Sequence, residues 1–331
     1  MKEIKVAING FGRIGRSFAR VIQQHPNIKL CAVNDLADAE TLTHLLKYDS
    51  IHGRFPGLVE KGDRCFFIND KVVHVYNQKD PATLPWYDFG IDVVIECTGQ
   101  FKTKAKAEAH LKAGAKKVIV SAPPQDSEMK TIVMGINDHL IDDSDLILSN
   151  ASCTTNSAAP LIDVLQRNWG IEQAYITTVH SYTSDQTLHD APHKDLRRAR
   201  AAAQSIIPTT TGAAKALTKV FPELDGKLGG AGIRVPVPNG SLTDLSCILN
   251  AEVTIEEINE KFKQESESRL MSILEYTEDP IVSIDVIGNP HSCVFDSLLT
   301  SALGKMVKVV GWYDNEWGYS NRLVDLTKRI G

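Results

Sequence analysis

The sequence predicts an α/β fold in two parts: a mostly parallel sheet covered by helices, then an α+β region with a largely antiparallel sheet. In the first half, short apolar runs alternate with helical patterns, which is the rhythm of βαβ units. These apolar runs are continuous, as expected of strands that helices cover on both faces. In the second half the strand-like runs are longer. We place the boundary near Asn150, so that the predicted domains are residues 1–150 and 151–314.

Each predicted element of the first half follows from a short apolar run or from a helical spacing of apolar residues. The strands are residues 4–9, 28–33, 93–97 and 118–121, and the helices are residues 14–24 and 39–46. A further strand at residues 146–148 leads to the boundary.

The second half begins with a helical pattern and continues with β-rich runs. The predicted helices are residues 154–168 and 255–267, and the strands are residues 174–181, 232–235, 243–249 and 307–313. No internal repeat or low-complexity tract interrupts these elements.

Composition narrows the range of functions. The 331 residues are 43% hydrophobic, which is enough for a buried core in each of two domains, and the formal net charge is -5. A negative chain has no overall basic field, so nucleic acid is not expected as a primary partner. No apolar run approaches the roughly 18 residues that span a bilayer. The N-terminus also lacks a signal-peptide pattern, and we expect a cytoplasmic protein with no membrane partner.

Gly10, Gly12 and Gly15 form a G-x-G-x-x-G pattern that follows a strand and opens a helix, which indicates a Rossmann-type dinucleotide site. Gly10 permits the tight turn, Gly12 lets the backbone approach a pyrophosphate, and Gly15 allows close packing of helix and strand. Asp35 ends the next strand, 35 - 15 = 20 residues further on. Its carboxylate would accept hydrogen bonds from ribose hydroxyls and repel the 2′-phosphate of NADP, so NAD is the predicted cofactor. The alternative for Asp35 is a helix cap or a surface acid.

The six cysteines show no C-x-x-C spacing, so free thiols are expected, with Cys31, Cys97 and Cys247 as inert buried side chains. Cys153 differs because it begins a helical pattern, where unpaired amides and the helix dipole favour a thiolate and predict a lowered thiol pKa. An ordinary packed cysteine remains an equal alternative.

His180 ends a predicted strand, where its ring could project into a cleft as a base for the thiol. A core histidine bonded to backbone is the alternative. A dinucleotide site, a helix-terminal thiol and a histidine together indicate aldehyde oxidation through a thioester.

Residues 193–200 are the densest basic segment, followed by Thr211, Gly212 and Arg234. Such a segment binds phosphate groups in some proteins and is a solvated face in more of them. His189 and His193 are four residues apart, but Pro192 lies between them and no third ligand pattern follows, so no metal site is predicted.

Taken together, these motifs resemble the phosphorylating glyceraldehyde-3-phosphate dehydrogenase family along almost the whole chain. The matching blocks are residues 9–16, 149–156, 193–203, 206–214, 234–236 and 312–319. The resemblance implies oxidation of glyceraldehyde 3-phosphate to 1,3-bisphosphoglycerate with NAD and inorganic phosphate, a step of glycolysis and gluconeogenesis. It also implies a homotetramer with residues 181–200 at a subunit contact, and a final helix within residues 315–331 that returns to the first domain.

The resemblance further implies a role for individual residues. Cys153 would be the nucleophile and His180 its base. Thr183 and Arg234 would form one anion pocket, and Ser152, Thr154, Arg198, Thr211 and Gly212 would share the contacts around the other pocket and the substrate. Besides the three glycines, the implied cofactor residues are Arg13, Ile14, Asp35, Lys79, Thr98, Ser121 and Asn315. Lys79 stands where the family usually has arginine, so it keeps the charge and loses the guanidinium fork.

Two alternatives remain open on the sequence alone. An erythrose-4-phosphate dehydrogenase shares this framework and hydrolyses its thioester, but its relatives usually lack the pair that Thr211 and Gly212 form here. A binding protein on a retired enzyme scaffold would not be expected to keep Cys153, His180 and Asp35.

Overall fold

The computed structural model describes residues 2–331, which form two compact units. The first unit comprises residues 2–132, His139–Ala151 and Ser320–Gly331, and the second comprises Val133–Asp138 and Ser152–Tyr319. The short segment Val133–Asp138 belongs to the second unit although it precedes Asn150 in the chain.

Helices and strands alternate along much of the first unit. Its helices are α1 (Arg13–Val21), α2 (Ala39–Lys47), α3 (Trp86–Phe89) and α4 (Lys104–Lys112). Its strands are β1 (Ile4–Asn9), β2 (Ile28–Asn34), β3 (Tyr48–Asp49), β4 (Gly53–Arg54), β5 (Val59–Lys61), β6 (Cys65–Ile68), β7 (Lys71–Tyr76), β8 (Val93–Glu96), β9 (Lys117–Val120), β10 (Lys130–Thr131) and β11 (Ile147–Ser149).

Nine of these strands form one sheet in the order β10-β11-β9-β8-β1-β2-β7-β6-β5. All neighbouring pairs from β10 to β7 are parallel, and only the β7-β6-β5 edge is antiparallel. The central strand β8 is buried at all four positions, as its continuous apolar run predicted. The parallel sheet predicted for this half is confirmed, whereas the antiparallel edge was not predicted.

The turn between β1 and α1 depends on its first glycine. Gly10 has a positive φ of 90°, and a Cβ atom there would lie 2.7 Å from the backbone nitrogen of Thr98. Gly15 packs against the carbonyl oxygen of Gly10, which leaves no room for a side chain. Gly12 is different, because a Cβ atom there would have no other atom within 4 Å. The loop therefore keeps one open glycine between two crowded ones.

The second unit contains a mixed sheet and three helices of its own. The helices are α5 (Cys153–Trp169), α6 (Ala213–Val220) and α7 (Ile255–Ser266). The strands are β12 (Ile171–Ser181), β13 (Ile207–Thr209), β14 (Leu228–Val235), β15 (Ser241–Leu249), β16 (Leu274–Thr277), β17 (Cys293–Asp296), β18 (Ser301–Leu303) and β19 (Met306–Tyr313). The last helix, α8 (Trp317–Ile330), begins in this unit, and its residues from Ser320 onward belong to the first.

The sheet of the second unit has the order β13-β14-β12-β15-β19-β17-β16, with β18 paired to β19. Only β12-β14 and β16-β17 are parallel, so the largely antiparallel sheet predicted for this half is confirmed. Strand β12 pairs with β14 in a register that puts His180 opposite Arg234. This pairing brings together two residues that are far apart in the sequence.

Candidate active site

Cys153 is the first residue of α5 and lies beside His180 of β12. The two side chains meet with 3.4 Å between Cys153 Sγ and His180 Nε2. Ser152 caps the helix, since its Oγ accepts a hydrogen bond of 3.1 Å from the backbone N–H of Thr155. The helix N-terminus thus holds the thiol within reach of the imidazole.

Burial raises the pKa of the Cys153 thiol, although Arg234 and the backbone N–H groups of the first helical turn act in the opposite direction. The lowered pKa that the sequence predicted is therefore wrong. The helix position was predicted correctly, but the loss of hydration on burial outweighs the effect of the helix N-terminus on the anion. The thiol consequently needs a base when it reacts.

His180 can supply that base. Its Nδ1 lies 2.8 Å from the carbonyl oxygen of Ser181 and 3.0 Å from Nη1 of Arg234. In the tautomer that donates from Nδ1 to the carbonyl, Nε2 is an acceptor toward the thiol. Burial, followed by the charge of Arg234, lowers the pKa of His180 to about 3. The ring is therefore neutral at physiological pH and holds the free lone pair of Nε2 toward the thiol, while a pKa this low makes it a weak base in the free protein.

Tyr313 joins the elements that carry these two residues, and no individual role was predicted for it. Its hydroxyl lies 2.9 Å from Thr154 Oγ1 on α5 and 2.9 Å from Thr178 Oγ1 on β12. Its ring also packs edge-on against His180, with 5.9 Å between the ring centroids. Burial raises the pKa of Tyr313, so the group stays a neutral hydroxyl. No local sequence signal identifies this role, because both threonines lie more than a hundred residues from Tyr313.

Arg234 and Arg198 approach a common carboxylate beside His180. Nη1 of Arg234 donates to the Ser181 carbonyl at 2.8 Å and to Thr183 Oγ1 at 3.2 Å. Arg198 pairs with Asp185, and its Nε donates to Thr209 Oγ1 at 2.8 Å. The structure therefore brings Thr183, Arg198 and Arg234 together around Asp185.

The other predicted anion residues lie at helix beginnings. Gly212 is the N-cap of α6 and leaves open space where a side chain would be, and Thr211 Oγ1 accepts a hydrogen bond of 3.2 Å from the backbone N–H of Ala213. Ser152 and Thr154, at the start of α5, hold the contacts with Thr155 and Tyr313 described above.

A cavity of about 440 Å³ lies within the first unit, at the carboxyl ends of its parallel strands. Five predicted cofactor residues line this cavity, namely Gly10, Gly12, Asp35, Lys79 and Thr98. Arg13, Ile14, Gly15 and Ser121 are outside its lining. Gly15 packs against the backbone of Gly10. The guanidinium of Arg13 lies 2.5 Å from the carboxylate of Asp49.

Asp35 is fixed at the rim of this cavity by the glycine loop. One carboxylate oxygen accepts a hydrogen bond of 2.7 Å from the backbone N–H of Phe11, and the other accepts one of 3.0 Å from the N–H of Ala37. Hydrogen bonds thus hold the side chain of Asp35 directly against the glycine loop. Each oxygen has a further lone pair for a ribose hydroxyl.

A buried polar network behind the cavity was not predicted from the sequence. Asn9 lies between Asn34 and Glu96 on adjacent parallel strands. Glu96 accepts hydrogen bonds of 2.6 Å from Asn9 Nδ2, 3.0 Å from His110 Nε2 and 2.7 Å from the N–H of Thr98. The network holds Asn9 and Thr98, both of which line the cavity. Polar residues that end neighbouring buried strands are the sequence signal that could have revealed it.

Comparisons with known proteins match the two halves of the chain to the two domains of one family. Residues 4–104 match the family model for the glyceraldehyde 3-phosphate dehydrogenase NAD binding domain, and residues 152–315 match the model for the C-terminal domain of the same family. Glyceraldehyde-3-phosphate dehydrogenase of Streptomyces coelicolor is 54% identical over 332 residues, with 99% of this chain and 98% of that protein covered. Glyceraldehyde-3-phosphate dehydrogenase 2 of Streptomyces avermitilis and the enzyme of Mycobacterium leprae are each 53% identical at the same coverage.

The chain belongs to the glyceraldehyde 3-phosphate dehydrogenase family. The predicted family and the predicted NAD cofactor are therefore confirmed. The cavity suits NAD, because the open Gly12 allows a pyrophosphate to approach the backbone and Asp35 presents a carboxylate at the rim.

One cofactor residue that the family resemblance implied, Asn315, lies in the second unit. Its Oδ1 accepts hydrogen bonds of 2.9 Å from Ser181 Oγ and 2.8 Å from Ser241 Oγ. These two bonds fix the orientation of the amide next to the strand that carries His180.

Within residues 2–331, no group of three His, Cys, Asp or Glu side chains is arranged to hold a metal ion. None of the helices in the same described range combines the length and the apolar character needed to cross a membrane.

Proposed function

We propose that this protein oxidises D-glyceraldehyde 3-phosphate to 1,3-bisphosphoglycerate with NAD and inorganic phosphate, through a thioester on Cys153. The single observation that carries the proposal is the 3.4 Å contact between Cys153 Sγ and His180 Nε2, beside the arginine pair. The three relatives described above are named as glyceraldehyde-3-phosphate dehydrogenases, and none of them is an erythrose-4-phosphate dehydrogenase.

Chemistry begins with removal of the Cys153 thiol proton by Nε2 of His180. The sulfur then forms a bond to the aldehyde carbon, and the carbonyl oxygen takes up the proton to give a hemithioacetal. The backbone N–H of Cys153 and the His180 ring hold this oxygen. Bound NAD would supply the hydride acceptor for this oxidation. The role of His180 is to take the hydroxyl proton as the thioester forms on Cys153.

Phosphate completes the reaction by attacking the thioester carbon, which breaks the carbon–sulfur bond and releases the acyl phosphate. The phosphate hydroxyl proton passes to solvent, and the sulfur takes the proton held by His180, which restores the neutral thiol and imidazole. Arg198, Thr211 and Gly212 are assigned to the attacking phosphate, and Thr183 and Arg234 to the phosphate group of the substrate. Guanidinium groups suit this task because their planar donors match phosphate oxygens. Ser152 and Thr154 complete the contacts around the substrate.

In this proposal residues 1–150, with the helix in residues 315–331, bind NAD, and Arg13, Ile14, Lys79, Ser121 and Asn315 contribute to its site. Residues 151–314 carry the chemistry and the subunit contacts. The enzyme would act in the cytoplasm, as a step of glycolysis and gluconeogenesis.

We further propose a homotetramer. The sheet of the second unit exposes an apolar row on one face, and Tyr175, Ile248, Leu303 and Met306 share it through strand pairing. Leu188 and Leu196, in the loop expected at a subunit contact, are 71% and 82% exposed. Exposed apolar side chains of this kind are typical of a surface that another subunit covers. Light scattering on the purified protein should give about four times the 36.4 kDa of one chain.

NADH formation from glyceraldehyde 3-phosphate, measured with and without inorganic phosphate, tests the catalytic proposal. We expect multiple turnovers only when phosphate is present. Sustained turnover of erythrose 4-phosphate without phosphate would favour the hydrolytic relative, and the absence of any NADH would favour a binding protein on the same scaffold.

A further inference from the structure

Asp185 lies among the residues assigned to phosphate, yet it carries a negative charge. Its carboxylate pairs with the guanidinium of Arg198 and accepts a hydrogen bond from the hydroxyl of Thr183. Nη2 of Arg234 lies 4.0 Å from Asp185 Oδ1, the oxygen that also accepts from Thr183. The three partners of Asp185 are therefore all among the residues that the proposed function gives to phosphate groups.

The environment keeps this carboxylate charged. Burial alone would raise the pKa of Asp185, but the Thr183 hydroxyl and the positive charges of Arg234 and Arg198 lower it below its ordinary value. The two arginine side chains are only 19% and 15% exposed, so their guanidinium groups are partly removed from water. Such groups need an anionic or polar partner in the absence of substrate.

We propose that Asp185 is an internal anion that engages Arg198 and Arg234 until a phosphate group displaces it, and so sets the affinity and the charge selectivity of the site. This inference rests on the proposed function. A phosphate dianion brings three or more terminal oxygens and twice the charge of a carboxylate, so in either pocket it can replace Asp185 as the partner of Arg198 or of Arg234 and Thr183. A monoanion offers no gain over Asp185 itself and is rejected.

Asp185 then has an effect opposite to that of the arginines around it. Arg198 and Arg234 attract every anion. Asp185 weakens the binding of each anion to the same extent, because each must first displace its carboxylate. Only ligands with enough charge and enough acceptors bind in competition with this carboxylate, which makes Asp185 a specificity-determining residue.

The test compares the wild type with Asp185→Asn, which keeps the size of the side chain and an acceptor for Thr183. Binding of inorganic phosphate to the NAD-saturated full-length protein is measured by calorimetry, together with inhibition of turnover by acetate. We expect the dissociation constant of phosphate to fall about fivefold or more, the effect of one solvent-screened charge. Acetate should inhibit the variant and leave the wild type unaffected.

Asp190→Asn is the matched control, because Asp190 lies on the same loop and pairs with Arg200, and both side chains are more than half exposed. It should bind phosphate as the wild type does. Asp185→Glu restores the charge and should return phosphate affinity toward the wild-type value. Thermal melting of each variant verifies that the second unit is folded.

Equal or weaker phosphate binding by folded Asp185→Asn would overturn the inference, since Asp185 would then only hold the arginines in position. Turnover of the wild type without phosphate would contradict the proposed function. The two dissociation constants still test Asp185 in that case, so the two failures are distinguishable.

Discussion

Cys153 Sγ lies 3.4 Å from His180 Nε2, and both groups are neutral in the free protein because burial raises the pKa of the thiol and lowers that of the imidazole to about 3. A proton must therefore leave the sulfur as it reacts, and the nearby ring is positioned to take it. Alkylation of Cys153 by iodoacetamide should consequently become faster as the pH rises from 7 to 9.

The same reagent should discriminate among the thiols. Burial raises the pKa of Cys97, Cys247 and Cys293 to about 12, so Cys153 should be labelled before any of these three. Peptide mapping by mass spectrometry measures both the order and the pH dependence. A rate that is already constant below pH 7, or earlier labelling of Cys247, would contradict this description of the thiol.

Removal of the Tyr313 hydroxyl should slow the chemistry and leave substrate binding nearly unchanged. Tyr313→Phe loses contacts with Thr154 and Thr178, each of which contributes about 0.5 to 1.5 kcal/mol. We expect kcat to fall roughly 5- to 50-fold with little change in KM, since α5 and β12 would no longer be fixed to each other at this point. Tyr276→Phe is the control, because its hydroxyl donates a hydrogen bond to the exposed Glu278. A change confined to KM would argue against a positioning role for Tyr313.

Gly10 and Gly12 should respond differently to substitution by alanine. Gly10→Ala forces a Cβ atom to within 2.7 Å of Thr98 N at a positive φ, and we expect a loss of unfolding free energy of at least about 2 kcal/mol. Gly12→Ala meets no atom within 4 Å, so it should keep wild-type stability and instead weaken NAD binding, because the new methyl group enters the space meant for a pyrophosphate. Denaturant unfolding and fluorescence titration with NAD measure the two effects. Equal destabilisation by both substitutions would refute the distinction.

Selectivity for NAD over NADP should come from Asp35. A 2′-phosphate beside this carboxylate should lower kcat/KM at least about 10-fold, which corresponds to about 1.4 kcal/mol. Asp35→Asn should narrow that ratio, although it weakens the acceptor for the Phe11 amide as well. Steady-state kinetics with both cofactors give the ratio directly, and near-equal use by the wild type would disprove the assignment.

Arg198→Ala should damage the phosphate-dependent half of the reaction selectively. Loss of a charged, fork-shaped contact should reduce turnover roughly 10- to 100-fold. A single-turnover burst of NADH without phosphate should keep most of its amplitude, because Cys153 and His180 are untouched. Wild-type phosphate dependence in this variant, or loss of both burst and turnover in a folded protein, would show that Arg198 has another role.

Local patterns predicted much of this structure. Strand β1 has the bounds that its apolar run predicted, and the glycine turn and Asp35 lie where a dinucleotide site requires them. Both signals are contained within a few tens of residues, so sequence spacing is sufficient to recognise them.

Features that depend on strand register or on burial could not be predicted from the sequence. His180 and Arg234 meet only because β12 and β14 pair in one particular register. The prediction that the pKa of Cys153 is lowered was wrong for a related reason. The position of a residue in a helix is a local property, whereas its burial depends on the packing of the whole second unit. Tyr313 and Asp185 went unnoticed because their partners, rather than their own neighbours in the chain, define what they do.

The hydroxyl of Tyr313 connects residues 159 and 135 positions earlier in the chain. On the ribosome, α5 and β12 therefore emerge long before the strand that fixes them to each other. A nascent chain that stops before β19 carries both Cys153 and His180 but lacks this tie between their elements. Recovery of activity during refolding should accordingly follow the docking of β19, which makes catalysis a marker for the completed second unit rather than for its first folded pieces.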